Sequence, residues 1–114
     1  MNIEAETDLA KPLRALHPHQ AVLIDCATMW LTNQMMDDAN LEEAQGALLD
    51  ALSDCAAPVV IVSNEVGHGI VPDNALARRF REAQGRLNIA LADRADLAVL
   101  VIAGLPQVLK GQMP

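Results

Sequence analysis

The chain has 114 residues, a formal net charge of −7 at pH 7, 52% hydrophobic residues and only 2% aromatic residues. This length corresponds to one domain over residues 1–114, and the hydrophobic content excludes a disordered chain. The acidic charge and the scarcity of base-stacking side chains argue against a nucleic-acid partner for the whole chain, with a local basic patch within residues 71–114 as the open alternative. No apolar run approaches the ~18 residues of a membrane span, and Cys26 and Cys55 are isolated, so we expect a cytoplasmic protein with reduced thiols.

The N-terminal part of the chain predicts a helix, a strand and a second helix. Asp8 is expected to cap a short helix that ends near Leu16, before His17-Pro18-His19. The apolar run from Ala21 predicts a buried strand that ends on Asp25. The remaining predicted elements are a helix over Thr28–Met36, a helix capped by Asn40 over Leu41–Cys55, a strand over Pro58–Val62, a helix over Asp73–Ala92, a strand over Leu97–Ala103, a turn over Gly104–Pro106 and a frayed tail over Gln107–Pro114.

The predicted strands are continuous apolar runs rather than alternating ones, and helices separate them. That pattern is typical of parallel strands buried on both faces. The sequence therefore predicts an α/β fold with a mostly parallel sheet.

Polar residues follow two of the predicted strands. Asp25 ends the first strand, where a carboxylate either holds Mg²⁺ or caps the next element. Ser63, Asn64 and Glu65 end the second strand, either as an active-site edge or as a turn whose side chains satisfy the backbone.

The glycine-containing segment after Glu65 is a weak phosphate-binding signal. Gly67 and Gly69 permit close approach of the backbone to a ligand, but Ile70 and the residues after it match no phosphate-loop or dinucleotide fingerprint. His68 has no nucleophile at a recognisable spacing. An unrelated small hydrolase or transferase that uses Asn64, Glu65 and His68 is a further, weaker hypothesis.

Four segments stand out in order along the chain: Val22–Asn33 (VLIDCATMWLTN), Val62–Pro72 (VSNEVGHGIVP), Arg78–Asn88 (RRFREAQGRLN) and Ala103–Lys110 (AGLPQVLK). In their order and spacing, these segments resemble motifs of the bifunctional adenosylcobinamide kinase / adenosylcobinamide-phosphate guanylyltransferase family. The resemblance implies a RecA-like P-loop fold. It also implies phosphorylation of adenosylcobinamide, followed by GMP transfer from GTP through a guanylylated His.

The resemblance also implies binding residues and partners. Glu4 and Asp25 match the nucleotide-binding positions, with GTP or ATP as the nucleotide and Asp25 as the Mg²⁺ ligand. Asn64 and Glu65, at the end of the second predicted strand, are the possible active-site edge for the substrate or the nucleotide. A corrinoid substrate and a homo-oligomer, a trimer in this family, are implied in the same way.

The chain departs from the family at its N-terminus. The family's P-loop and its GMP-accepting His lie upstream of the segment that residue 1 matches, so the fold is expected to be incomplete there and the GMP-accepting His to be missing. His68 does not replace that nucleophile. We therefore expect little or no activity from the 114 residues alone, and a sheet with an exposed apolar edge and face. The alternative is a non-catalytic interaction subunit that co-assembles with a P-loop-bearing partner.

Overall fold

The computed structural model describes residues 9–37, 39–64 and 74–114. Its elements, in chain order, are α1 (Ala10–Arg14), β1 (Val22–Asp25), α2 (Ala27–Met36), α3 (Leu41–Asp54), β2 (Val59–Val62), α4 (Ala75–Arg94), β3 (Ala98–Ile102) and β4 (Leu105–Lys110). The predicted α/β class is confirmed. The predicted helices and strands match the observed bounds to within two residues, whereas β4 has no predicted counterpart.

β1 and β2 form a parallel pair in which Leu23 lies opposite Val60 and Asp25 lies opposite Val62. Over the described ranges this sheet contains these two strands alone, because β3 pairs with β4 in a separate sheet. The parallel arrangement predicted from the sequence is therefore confirmed for the first two strands and wrong for the third.

The two faces of the β1–β2 pair differ in burial. Val22 and Ile24 are buried against the helices. On the opposite face, Leu23 is 41%, Val60 63% and Val62 42% exposed. The burial of both faces that the apolar runs predicted is wrong for the described residues, because their helices pack on one face only. The exposed apolar face that was expected from the incomplete N-terminus is confirmed. An apolar run shows that each side chain can be buried, but it does not show that a layer exists to bury it.

A single aliphatic core joins the helices to the inner face of this sheet. Its buried members are Leu9, Leu13, Leu16, Val22, Ile24, Ala27, Trp30, Leu31, Leu48, Leu49, Ala51, Ala57, Ala83, Leu87 and Leu91. Every described helix contributes to this core, and apolar burial of this kind is the main term that stabilises a small domain.

Side-chain caps begin the two longest helices of the described residues. The predicted cap Asn40 accepts a hydrogen bond from the backbone N–H of Glu43 at 3.1 Å. Asn74 caps α4 in the same way, accepting from the backbone N–H groups of the first turn at 2.8 and 3.2 Å. None of the described helices has the length and apolar character needed to cross a membrane.

β3 and β4 form an antiparallel hairpin. Ala103 and Gly104 form its turn with φ values of 52° and 77°, the positive region that a two-residue hairpin turn requires. The predicted turn over Gly104–Pro106 is therefore wrong in position, since Leu105 and Pro106 lie in β4. The predicted fraying is wrong for residues 107–110, because pairing with β3 orders them.

Lys110 attaches the hairpin to the end of α4. Its Nζ donates to the carbonyl oxygens of Ala92 at 3.1 Å and Asp93 at 2.9 Å. A lysine at this position satisfies helix-terminal carbonyls and complements the negative end of the helix dipole. Gly111 follows with φ 78°, and a Cβ there would overlap the carbonyl oxygen of Asp96.

The hairpin carries exposed aliphatic side chains on both strands. Val101 is 63%, Leu105 70% and Leu109 62% exposed. An isolated two-stranded hairpin is marginally stable in water, and unpaired strand edges favour association with other chains. The hairpin and the outer face of the β1–β2 pair therefore form the main apolar surface of the described residues.

We expect Leu87→Ala to lower the free energy of unfolding by about 2–5 kcal/mol, because it leaves a cavity in the core. Leu76→Ala on the same helix is the matched control, since Leu76 is 63% exposed whereas Leu87 is fully buried. Urea unfolding followed by the fluorescence of Trp30, the single tryptophan, measures both changes. Equal losses in the two variants would contradict this description of the core.

Candidate functional site

The carboxyl ends of β1 and β2 bring Asp25 and Asn64 to one edge of the sheet. Asp25 lies opposite Val62 in the parallel register, and Asn64 follows Val62 by two residues. Both Asp25 and Asn64 are exposed. The carboxyl edge of parallel strands is where open α/β sheets bind ligands. The structure thus brings together two of the residues that the sequence identified as site candidates.

The other candidate residues lie outside the described residues. These are Glu4, Glu65 and His68, together with the glycines at positions 67 and 69. The nucleotide contact of Glu4 and the role of Glu65 at the active-site edge stay predictions.

Side chains from two helices hold the backbone of Asn64. The hydroxyl oxygen of Thr28, on α2, accepts a hydrogen bond from the Asn64 backbone N–H at 3.0 Å. The Nδ2 atom of Asn88, on α4, donates to the Asn64 carbonyl oxygen at 2.8 Å. The segment after β2 is thereby tied both to the helix that follows β1 and to α4.

A polar cluster lies directly beneath Asn64, formed by Ser63, Gln84 and Asn88. The Ser63 hydroxyl donates to Asn88 Oδ1. Gln84 Nε2 donates to Ser63 Oγ and to Asn88 Oδ1, both at 2.9 Å. Asn88 Oδ1 accepts one bond from the Ser63 hydroxyl and one from Gln84 Nε2, and its Nδ2 is therefore directed toward Asn64.

Gln84 is fully buried, and its Oε1 atom has no hydrogen-bond partner among the described residues. The opposite amide orientation would bring this oxygen close to Asn88 Oδ1, another acceptor. An unpartnered buried acceptor costs about 1–3 kcal/mol. In this orientation the Gln84 amide nitrogen donates to both Ser63 and Asn88, while its own Oε1 has no partner among the described residues.

Sequence reasoning did not identify Thr28, Gln84 or Asn88 as site residues. Gln84 and Asn88 are spaced i, i+4 and flank the apolar positions Ala83 and Leu87 of the same helix, and a polar pair beside a buried stripe is a signal that could have been used. Thr28 offered a weaker signal, as a hydroxyl three residues after the end of a strand.

Asp25 can serve as a Mg²⁺ ligand without help from other protein carboxylates. The described residues contain no group of three or more His, Cys, Asp and Glu side chains able to hold a metal ion. Mg²⁺ accompanying a nucleotide commonly takes one or two carboxylates, with phosphate oxygens and water completing its octahedron. A single exposed carboxylate at the sheet edge fits that form of binding.

A cavity of about 160 Å³ lies elsewhere, between the first three helices of the described residues. Its lining is mostly aliphatic and includes Leu9, Trp30 and Leu48, but neither Asp25 nor Asn64. We regard it as a packing gap because it brings no charged side chains together.

A family comparison agrees with the resemblance of the motifs. The family described as cobinamide kinase / cobinamide phosphate guanyltransferase matches residues 1–109. The chain belongs to this family.

Curated relatives give the same assignment. The chain is 37% identical over 113 residues to the bifunctional adenosylcobalamin biosynthesis protein CobP of Pseudomonas aeruginosa, covering 96% of this chain and 65% of that protein. It is 41% and 38% identical over 105 residues to the bifunctional adenosylcobalamin biosynthesis proteins CobU of Salmonella typhimurium and Escherichia coli. Those matches cover 79% of this chain and 58% of each relative. The chain thus spans about three fifths of the length of these relatives.

We expect Gln84→Leu and Asn88→Leu to differ in their effect on stability. Gln84→Leu removes the unpartnered oxygen, while the hydrogen bond from Ser63 to Asn88 is kept. The free energy of unfolding should therefore change by less than about 1 kcal/mol. Asn88→Leu deprives the Ser63 hydroxyl and the Asn64 carbonyl of their partners and should cost about 1–3 kcal/mol. Urea unfolding measures both, and a larger loss for Gln84→Leu would contradict the cluster described above.

Proposed function

We propose that this chain takes part in the nucleotide-dependent phosphorylation of adenosylcobinamide and in the subsequent transfer of GMP from GTP. GTP or ATP is the phosphoryl donor in this proposal, and Mg²⁺ accompanies it. The observation that carries the proposal is the exposed position of Asp25 at the carboxyl edge of a parallel strand pair, in a chain of the cobinamide kinase / guanyltransferase family. The parallel pair and its helices are, in this proposal, part of a RecA-like P-loop fold.

In the kinase step, the substrate hydroxyl oxygen attacks the γ-phosphorus while the bond to the leaving nucleoside diphosphate breaks. Mg²⁺, when bound, would neutralise charge on the phosphate oxygens. Asp25 is the residue that would hold it, and its exposed carboxylate can reach a ligand without first leaving a buried environment. Glu4 is proposed as a second nucleotide contact, and Asn64 and Glu65 as the edge that faces the nucleotide or the corrinoid.

Phosphoryl transfer also needs backbone amides and a lysine around the β- and γ-phosphates. The 114 residues contain no G-x-x-x-x-G-K-[ST] sequence. The proposal therefore requires a phosphate loop from polypeptide outside these residues, either on the same chain or on a partner. We also propose that the protein is a homotrimer and that it lies in the cytoplasm. The free cysteines Cys26 and Cys55 are consistent with a reducing compartment.

A second candidate is a non-catalytic interaction subunit that co-assembles with a polypeptide bearing the phosphate loop. The aliphatic surface of the β1–β2 pair and the hairpin favours this candidate, because solvent-exposed apolar faces and strand edges of this kind are sites of association.

The intact mass of the protein isolated from its own cells separates the two candidates. A polypeptide larger than 12.2 kDa that contains this sequence and phosphorylates cobinamide supports the first. A mass of 12.2 kDa with a co-purifying P-loop polypeptide supports the second. Phosphorylation of cobinamide by the purified 114 residues alone would contradict the need for an external phosphate loop.

In the active form isolated from its own cells, we expect Asp25→Asn to lower kcat/KM for cobinamide phosphorylation by about 100-fold or more, because the carboxylate that would hold Mg²⁺ at the transferring phosphate is lost. The unfolding midpoint should stay near that of the wild type, since Asp25 is exposed. Asp50→Asn, an exposed carboxylate on α3, is the matched control and should keep wild-type kinetics. Unchanged activity in Asp25→Asn would exclude Asp25 from Mg²⁺ binding.

A further inference from the structure

Asn64 is held on both sides of its Cα atom. Its backbone N–H donates to Thr28 Oγ1 at 3.0 Å, and its carbonyl oxygen accepts from Asn88 Nδ2 at 2.8 Å. These two groups belong to the peptide planes before and after the Cα. Holding both planes sets the direction of the Cα–Cβ bond, and hence the point from which the side-chain amide extends.

The residues at the end of β2 and directly after it differ in burial. Ser63 faces the helices, where it bonds Asn88 and receives a bond from Gln84. Val62 and Asn64 are exposed, and Val62 lies opposite Asp25. No described residue hydrogen-bonds to the Asn64 side-chain amide. Asn64 and Asp25 are both exposed at the carboxyl edge, and no described residue occupies the hydrogen-bonding groups of the amide.

We propose that Thr28 and Asn88 are positioning residues, which clamp the Asn64 backbone so that its side-chain amide contacts the same Mg²⁺-bound nucleoside triphosphate as Asp25. This proposal rests on the proposed function. The amide supplies N–H donors for phosphate oxygens and a carbonyl acceptor for water on the cation. Ser63 and Gln84 support Asn88 by occupying its Oδ1, which leaves its Nδ2 for Asn64.

A double-mutant cycle tests whether Thr28 acts through Asn64. Thr28→Val removes the hydroxyl at nearly constant volume, whereas Asn64→Ala removes the amide and keeps the clamped backbone. Steady-state cobinamide phosphorylation is measured over a range of Mg²⁺-nucleotide concentrations, using the active form isolated from its own cells. We expect each single variant to lower kcat/KM for the nucleotide by about 10-fold to 100-fold. The double variant should be no worse than Asn64→Ala.

Two further variants serve as controls. Thr28→Ser keeps the hydroxyl and should recover most of the activity. Thr32→Val removes the neighbouring hydroxyl on α2, which donates to the Thr28 carbonyl at 2.9 Å and does not contact Asn64, and should keep wild-type kinetics. If Thr28→Val does not fold, Asn88→Asp replaces it in the cycle, because it loses the Nδ2 donor while keeping an acceptor for Ser63 and Gln84.

The outcomes are separable. A loss from Thr28→Val that is the same in the wild type and in Asn64→Ala would show a purely structural role and overturn the proposal. Wild-type kinetics in Thr28→Val would also overturn it. A wild-type protein that phosphorylates no cobinamide with Mg²⁺ and either GTP or ATP would refute the proposed function itself, and that result is seen before any variant is examined.

Discussion

The packing of every described helix on one face of the β1–β2 pair determines which side chains of the sheet are buried and which are exposed. Val22 and Ile24 anchor the inner face, and the helices bury them together with their own apolar stripes. The outer face receives no layer from the described residues, so Leu23 and Val60 stay in contact with solvent although their side chains favour burial. Asp25 is exposed for the same reason, at the end of a strand that would otherwise be covered on both sides.

Polar residues at the carboxyl edge differ in burial. Ser63 is partly buried and enters the polar cluster with Gln84 and Asn88. Asp25 and Asn64 are exposed at the same edge. The side chains that hydrogen-bond at this edge, such as Gln84 and Asn88, are buried or partly buried. Their hydrogen bonds are stronger there than in water, because the surroundings are less polar. The polar cluster also loses some stability, because the buried Oε1 of Gln84 has no partner among the described residues.

The hairpin extends the pattern of uncovered apolar surface. Its strands pair with each other and it is attached to α4 through Lys110, yet aliphatic side chains such as Val101 and Leu105 remain exposed. The outer face of β1–β2 carries further exposed aliphatic side chains, Leu23 and Val60 among them. The chain spans 58–65% of the length of the relatives that it matches.

The sequence by itself determined the local elements and the family. Caps such as Asn40 and the helical spacing of apolar residues depend on positions a few residues apart, so they can be identified in the sequence. The collinear motifs can likewise be identified without knowledge of the tertiary contacts. Asp25 and Asn64 were identifiable because polar residues at strand ends are a local signal. Only the tertiary structure decided that β3 turns back on β4, and that Thr28 and Asn88 meet Asn64 across 36 and 24 positions of sequence. These features depend on how elements pack in three dimensions, and no local pattern records which surfaces will have a neighbour.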